Sequence, residues 1–303
     1  VLLAAALFGL NAGVSRIPLR SGTPTDTFTT VRITAAFLAF VLIALMIDRT
    51  ALRVPRGSSL LLIIGLGIVG FAGVQWTYNV AINRLPLSIA LLLEYLGPVL
   101  VVLWVRVVRR EPVSRRMWPA LALAVGGLAV VSQVWDGLTL DGLGVVMALG
   151  AAVCFATYFL LGEHSGTADT GRPLHVILWS FAAATVAMNL VQPAWTIDTL
   201  GTDASMLGRF ADTAVPVWGA MAWIVVLGTV VPFFLLLLAL RVLSATVVSI
   251  VAMLEPVVAA LVGWVWFSET LNPVQLVGMA AVLAGILLAQ TARDVEPSLP
   301  PPQ

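Results

Sequence analysis

Along this chain, apolar residues gather into blocks of roughly 18 to 24, each long enough to cross a ~30 Å hydrocarbon core at ~1.5 Å per helical residue. Between the blocks lie short stretches where Arg, Asp, Pro and Gly collect. These breaks predict helices near residues 1–18, 27–47, 58–82, 87–107, 117–134, 142–162, 174–193, 216–240, 245–267 and 273–291. The period-two alternation of an outer-membrane strand is missing. The pattern therefore predicts an all-α membrane protein with ten transmembrane helices. The opening VLLAAALFGLNAGVSRIPL has no small-x-small cleavage pattern before the next block, and it reads as a retained first helix.

Composition agrees with this reading. The 303 residues are 60% hydrophobic and 10% charged, with mean hydropathy +1.03, whereas a soluble domain carries about 25% charged residues. A net charge of +1 without a basic tract gives no support to a nucleic-acid partner. All sixteen basic residues are Arg, so orientation follows from their distribution over the loops. With the N-terminus in the cytoplasm, eleven fall in inner loops, while Arg16, Arg20, Arg84 and Arg209 fall in outer loops and Arg32 stays within the second span. The count predicts a multi-pass protein of the inner (plasma) membrane with both termini cytoplasmic. The Pro-rich tail, residues 292–303, is expected to be disordered on that side. Cys154 reads as a small buried hydrophobe. His164 and His175 read as loop residues without ligand spacing, so no metal site and no cofactor are expected.

A subtraction reveals a repeat. Pro98 and Pro256 are 158 positions apart, and the same offset pairs Gly70 with Gly228, Ala81 with Ala239, Leu85 with Leu243, Glu111 with Glu269 and Gly127 with Gly285. Agreement concentrated at Pro, Glu and Gly points to a duplicated unit, residues 1–134 and 142–291. Five helices are an odd number, so the second copy enters the membrane upside down. Two inverted five-helix repeats around a central cavity are a transporter architecture.

The segment LEPVVAALVGWVWFSETLNPVQLVGMAAVLAGILLAQ, Leu254 to Gln290, resembles the second-repeat signature of EamA-type carriers in the drug/metabolite transporter superfamily. The earlier ALLLEYLGPVLVVLW is similar to its first-repeat counterpart in bacterial threonine/homoserine exporters, and TVVPFFLLLLALRVLSATVVSIVAMLEP extends the likeness. The resemblance implies ten helices around a central cavity and efflux of small metabolites.

Polar residues inside the spans are the candidate site. Pro256 cannot donate to the carbonyl of Ala252, nor Pro98 to that of Glu94, so each repeat should bend or open in its fourth helix. The freed carbonyls either meet neighbouring helices or line a wet cavity. Glu255 lies about ten residues into its span, near mid-bilayer, where a carboxylate must pair, face water or hold a proton. It is expected either to be protonated during part of a cycle or to bind a substrate amino group. Arg32 and Glu94 match in depth. They are expected to pair with each other or to receive the two ends of a zwitterion. Gln75 and Asn79 share one face of the third span, with Tyr78 beside them. Asn11, Tyr158 and Trp179 complete the candidate lining, and Trp76 reads as part of an aromatic belt. Glu111 and Glu269 read as helix caps.

An intramembrane enzyme would need paired Asp residues, a His/Glu metal set or an activated nucleophile, and no such set is visible. The sequence therefore predicts a secondary transporter exporting threonine- or homoserine-like amino acids, or similar small metabolites, by alternating access. Protons are the expected coupling ion, and the partners are a small-molecule substrate and the lipid bilayer. The alternative is a carrier of the same fold for a drug, a nucleotide-sugar or a phosphorylated metabolite.

Overall fold

A computed structural model of the chain describes residues 1–82, 84–85, 87–131, 141–167, 172–268 and 272–291. The expected tail 292–303, the end of the fifth predicted span and Glu269 lie outside these residues. The described chain is almost wholly helical. Eight helical runs are long and apolar enough to cross a membrane, and Met117–Val131 and Pro273–Ala289 are shorter apolar helices. Together they occupy the ten predicted blocks.

The spans are not all continuous rods. The first is α1 (Leu2–Val14) followed by α2 (Arg16–Arg20), and the second is α3 (Thr25–Ile47), whose first turn carries Asp26 where a helix favours negative charge. The third joins α4 (Ser58–Gly65) to α5 (Val74–Ile82) through the π-helical turns Leu66–Gly73. The fourth is α6 (Leu87–Glu94) and α7 (Gly97–Val107), and the fifth is α8 (Met117–Val131). In the second half, α9 (Gly142–Thr167) and α10 (Pro173–Val191) are unbroken. His164 and His175 therefore lie in these helices and not in a loop, because the helical hydrogen bonding runs past the last apolar residue of the sixth span. The strands β1 (Asp203–Ser205) and β2 (Ala214–Pro216) then pair antiparallel. The eighth span joins α11 (Val217–Val225) to α12 (Val231–Leu240) through π-helical Val226–Val230. The ninth is α13 (Ala245–Ala252) and α14 (Leu254–Phe267), and the tenth is α15 (Pro273–Thr291).

Both halves thus repeat the same two departures from regular helix. The third and eighth spans each widen into π turns around Gly70 and Gly228. The fourth and ninth each break just before a proline, with Leu96 at φ −70°, ψ −12° and Met253 at φ −65°, ψ −1°. The missing Pro98 and Pro256 donors leave a gap in each ladder, and the chain tightens there instead.

Packing brings α1 against α14, α5 against α9, and α8 against α15. The last pair meets backbone to backbone, since a Cβ at Gly127 would lie 2.6 Å from the Gly278 carbonyl oxygen. Ion pairs tie loop ends: Arg84 with Asp141 at 3.6 Å at one end of the helices, and Arg172 with Asp48 at 2.7 Å and Arg109 with Glu163 at the other. Hydrogen bonds from Thr50 and then from Arg172 hold the Asp48 carboxyl below the usual carboxylate range. On the opposite face the β1–β2 hairpin lies over the end of α14. There the Trp266 indole donates to the Met206 carbonyl at 3.0 Å and Arg209 Nε donates to Ser268 Oγ at 3.1 Å.

Candidate functional site

A cavity of about 340 Å³ runs from the middle of the helix bundle toward the face carrying Ser15, Arg16 and Phe267. Arg32, Glu94, Glu255, Gln75, Tyr78, Asn79, Asn11 and Tyr158 all line it, as does Pro256. Seven spans from both halves contribute, and the two carboxylates sit where the fourth and ninth spans break. Glu94 is the last residue of α6, and Glu255 sits in the first turn of α14, where the helix end favours its charge.

Arg32 is buried, and its partners come from the π turn of the eighth span. Nε donates to Thr229 Oγ1 at 2.6 Å and Nη2 donates to the Gly228 carbonyl at 2.9 Å. The direct pairing of Arg32 with Glu94 is not made. The π turn supplies a carbonyl and a hydroxyl nearer to the guanidinium, and the carboxylate whose field Arg32 shares is Glu255. Glu94 is buried against the cavity and accepts no hydrogen bond among the described residues.

The remaining polar groups fall into two sets. Asn79 Nδ2 donates to Thr29 Oγ1 at 2.5 Å, and Thr29 donates on to the Thr25 carbonyl at 2.9 Å, so that amide is fixed by the second span. Asn11 Oδ1 and the Tyr158 hydroxyl are buried without a hydrogen-bond partner among the described residues. An unpartnered buried polar atom costs about 1–3 kcal/mol. Deeper in the bundle the cavity meets aromatic rings. Phe71 lies 4.9 Å from Phe233 and 5.3 Å from Tyr158 between ring centroids, and Phe8 lies 4.9 Å from Phe233.

Trp179 is placed elsewhere. Its indole donates to the Ala51 carbonyl at 3.1 Å, an acceptor it shares with His175 Nδ1, and it does not line the cavity. Its partner is the 3₁₀ turn Arg49–Leu52, which ends the second span and lies away from the charged residues. Pro98 sits behind the wall, buried at the start of α7. Trp76 is exposed on the outer surface of α5. No group of three or more candidate metal-ligating side chains occurs among the described residues.

Several residues that shape the site, in its lining or behind it, escape a reading of polar positions alone. Tyr95, next to Glu94 at the break, addresses the Glu255 carboxylate with its phenol, and its ring packs edge-on against Phe155 at 5.7 Å. Thr229 and Gly228 hold Arg32. Gly228 carried a signal in its pairing with Gly70. Thr229 carried none, since a threonine in a membrane helix commonly bonds only to its own backbone.

The model of the EamA-like transporter family matches residues 1–133 and again residues 142–291. The chain belongs to this family. Among relatives of this EamA-like transporter, the threonine/homoserine exporter RhtA of Escherichia coli strain K12 is 30% identical over 217 residues, covering 71% of this chain. That alignment spans 66% of RhtA, slightly under two thirds of its length. A probable terminal-alkyne amino-acid exporter of Streptantibioticus cattleyicolor is 28% identical over 256 residues, 83% of this chain and 80% of that protein. One solved crystal structure aligns over 96% of this chain and 98% of its own, with a TM-score of 0.73 at 17% identity, and so shares the fold. Membership of the family and the eight apolar helices of membrane-crossing length make this chain a multi-pass membrane protein.

Proposed function

We propose that this chain is a secondary exporter of small zwitterionic amino acids, threonine- or homoserine-like, working by alternating access and driven by proton exchange. The observation that carries the reading is one cavity, of a size for a small solute, in which a fixed guanidinium stands with two carboxylates that lack an ion-pair partner among the described residues. An α-carboxylate suits the Arg32 fork, and an ammonium suits Glu94 or Glu255. A phosphorylated or nucleotide-linked solute would call for several cations, and the two acidic groups oppose it. The names of the amino-acid exporters among the relatives support the same class. On this reading Glu255 exchanges its proton between the two sides and Pro98 and Pro256 serve as hinges. The two matched segments are the inverted repeats, and both termini are cytoplasmic at the cell membrane.

The test is efflux from cells loaded with labelled threonine, homoserine or an unrelated drug, with and without a proton gradient. Accelerated, gradient-dependent loss of the amino acids supports the reading, and loss no faster than in a transport-null strain overturns it. The Glu255→Gln variant is expected to lose gradient-driven transport while retaining exchange of labelled for unlabelled amino acid. Full gradient-driven transport in that variant removes the proton role from Glu255.

A further inference from the structure

Among the described residues Arg32 is the one buried arginine, and its orientation is not left to chance. The guanidinium is planar, with five donors in a fixed fork. One edge of that fork, Nε and Nη2, is occupied by Thr229 Oγ1 at 2.6 Å and the Gly228 carbonyl at 2.9 Å. Both acceptors belong to the five-residue π-helical turn Val226–Val230. The hydroxyl of Thr229 has a single hydrogen, and it is committed to the Ile224 carbonyl five residues back, at 2.9 Å. That leaves only lone pairs to face Arg32. In a regular α-helix a threonine hydroxyl reaches the carbonyl three or four residues back. The wide turn is what allows the longer reach and turns Oγ1 toward the second span. Thr229 is 1% exposed, so water does not compete for these bonds. Gly228 completes the arrangement, because a Cβ there would lie 2.1 Å from Asn11 Oδ1, which is packed against it.

From this we propose that Thr229 is a positioning residue that makes Arg32 a one-sided reader of carboxylates. Arg32 lines the cavity, and with its Nε–Nη2 edge locked onto the eighth span the Nη1–Nη2 edge is the one left to meet a solute. A carboxylate meets that edge through two parallel hydrogen bonds, a fit that a neutral or purely cationic solute does not have. Specificity for amino acids over their decarboxylated amines therefore depends on a residue that never touches the solute. The inference rests on the amino-acid reading above and goes beyond it by naming how the carboxylate is selected.

The experiment uses the full chain in proteoliposomes, with labelled L-threonine and 1-aminopropan-2-ol, the amine left when threonine loses its carboxylate. The wild type is expected to favour threonine. Thr229→Val keeps the shape of the side chain but removes the hydroxyl. It is expected to raise the threonine KM about tenfold, the scale of a lost hydrogen bond to a charged group, with the maximal rate within about twofold. Transport of the amine stays unchanged, and Thr229→Ser restores the wild-type KM. Should Thr229→Val fail to accumulate in the membrane, Thr229→Ser against Thr229→Ala repeats the comparison, since that pair differs by the hydroxyl alone. An unchanged threonine KM, or an equal shift for threonine and the amine, overturns the proposal while leaving the amino-acid reading standing. If the wild type moves neither threonine nor any amino acid in a competition panel, the amino-acid reading itself falls, and this proposal with it.

Discussion

A single added methyl should expose how closely the first and eighth spans interlock. Gly228→Ala would set a Cβ 2.1 Å from Asn11 Oδ1 and 2.5 Å from its Cγ, a clash that costs about 1–3 kcal/mol by the measure of overpacked cores. The expected outcome is a lower melting temperature in detergent and weaker threonine transport, with partial recovery in the Gly228→Ala, Asn11→Ala double variant. At this scale the sequence was legible wherever a charge interrupted an apolar run. Arg32, Glu94 and Glu255 stand out because hydrocarbon makes each expensive, and all three line the cavity. What the sequence hid was the partner of each. Thr229 lies 197 positions from Arg32, so only the fold brings them together. Tyr95 was masked by its aromatic ring. A tryptophan such as Trp179 has one donor that any nearby carbonyl satisfies, and here Ala51 does so.

At the scale of elements, the prolines were legible and the π turns were not. Pro98 and Pro256 each remove a definite backbone donor, so a break was foreseeable from one letter. A π turn has no such letter. It shows in the sequence only as Gly70 and Gly228 under a common offset. The elements also carry a tie on the face opposite the cavity mouth. Glu163 of α9 pairs with Arg109, just past α7, and accepts the Ala245 backbone N–H at the start of α13 at 2.8 Å. Three spans from both halves are clamped by one side chain. If the chain works by alternating access as proposed, Glu163→Ala is expected to favour opening on that side by about tenfold or more, since hydrogen bonds to a charged group contribute roughly 1.5–3 kcal/mol. Thiol labelling of a cysteine placed beside Ala245 reads the shift, and unchanged labelling counts against the clamp. The neighbouring Asp48–Arg172 pair should respond to pH. Its carboxyl is held below the ordinary range, so the tie is complete above the unfolded value and is lost as pH falls through the lowered one. Arg172→Ala is expected to raise the Asp48 titration midpoint as followed by NMR.

For the whole molecule, the succession of apolar membrane-length helices was readable from hydropathy, because it depends on span length and not on side-chain partners. The depth at which the cavity ends was not readable, since rings from the first, third, sixth and eighth spans form that floor together. Phe8, Phe71, Tyr158 and Phe233 seal it, and the Tyr158 hydroxyl is shut in with them, 1% exposed for the residue as a whole and bonded to nothing among the described residues. That oxygen is a thirsty group behind a dry wall. On the exporter reading, parting of the rings to let a solute through would admit water to it and relieve the penalty of about 1–3 kcal/mol, so the closed floor would act as a cocked spring. Tyr158→Phe removes the thirst but not the wall. If the proposed function holds, it should leave threonine affinity at the cavity mouth intact and slow each full turnover several-fold, and a turnover rate equal to the wild type would show that the spring was never wound.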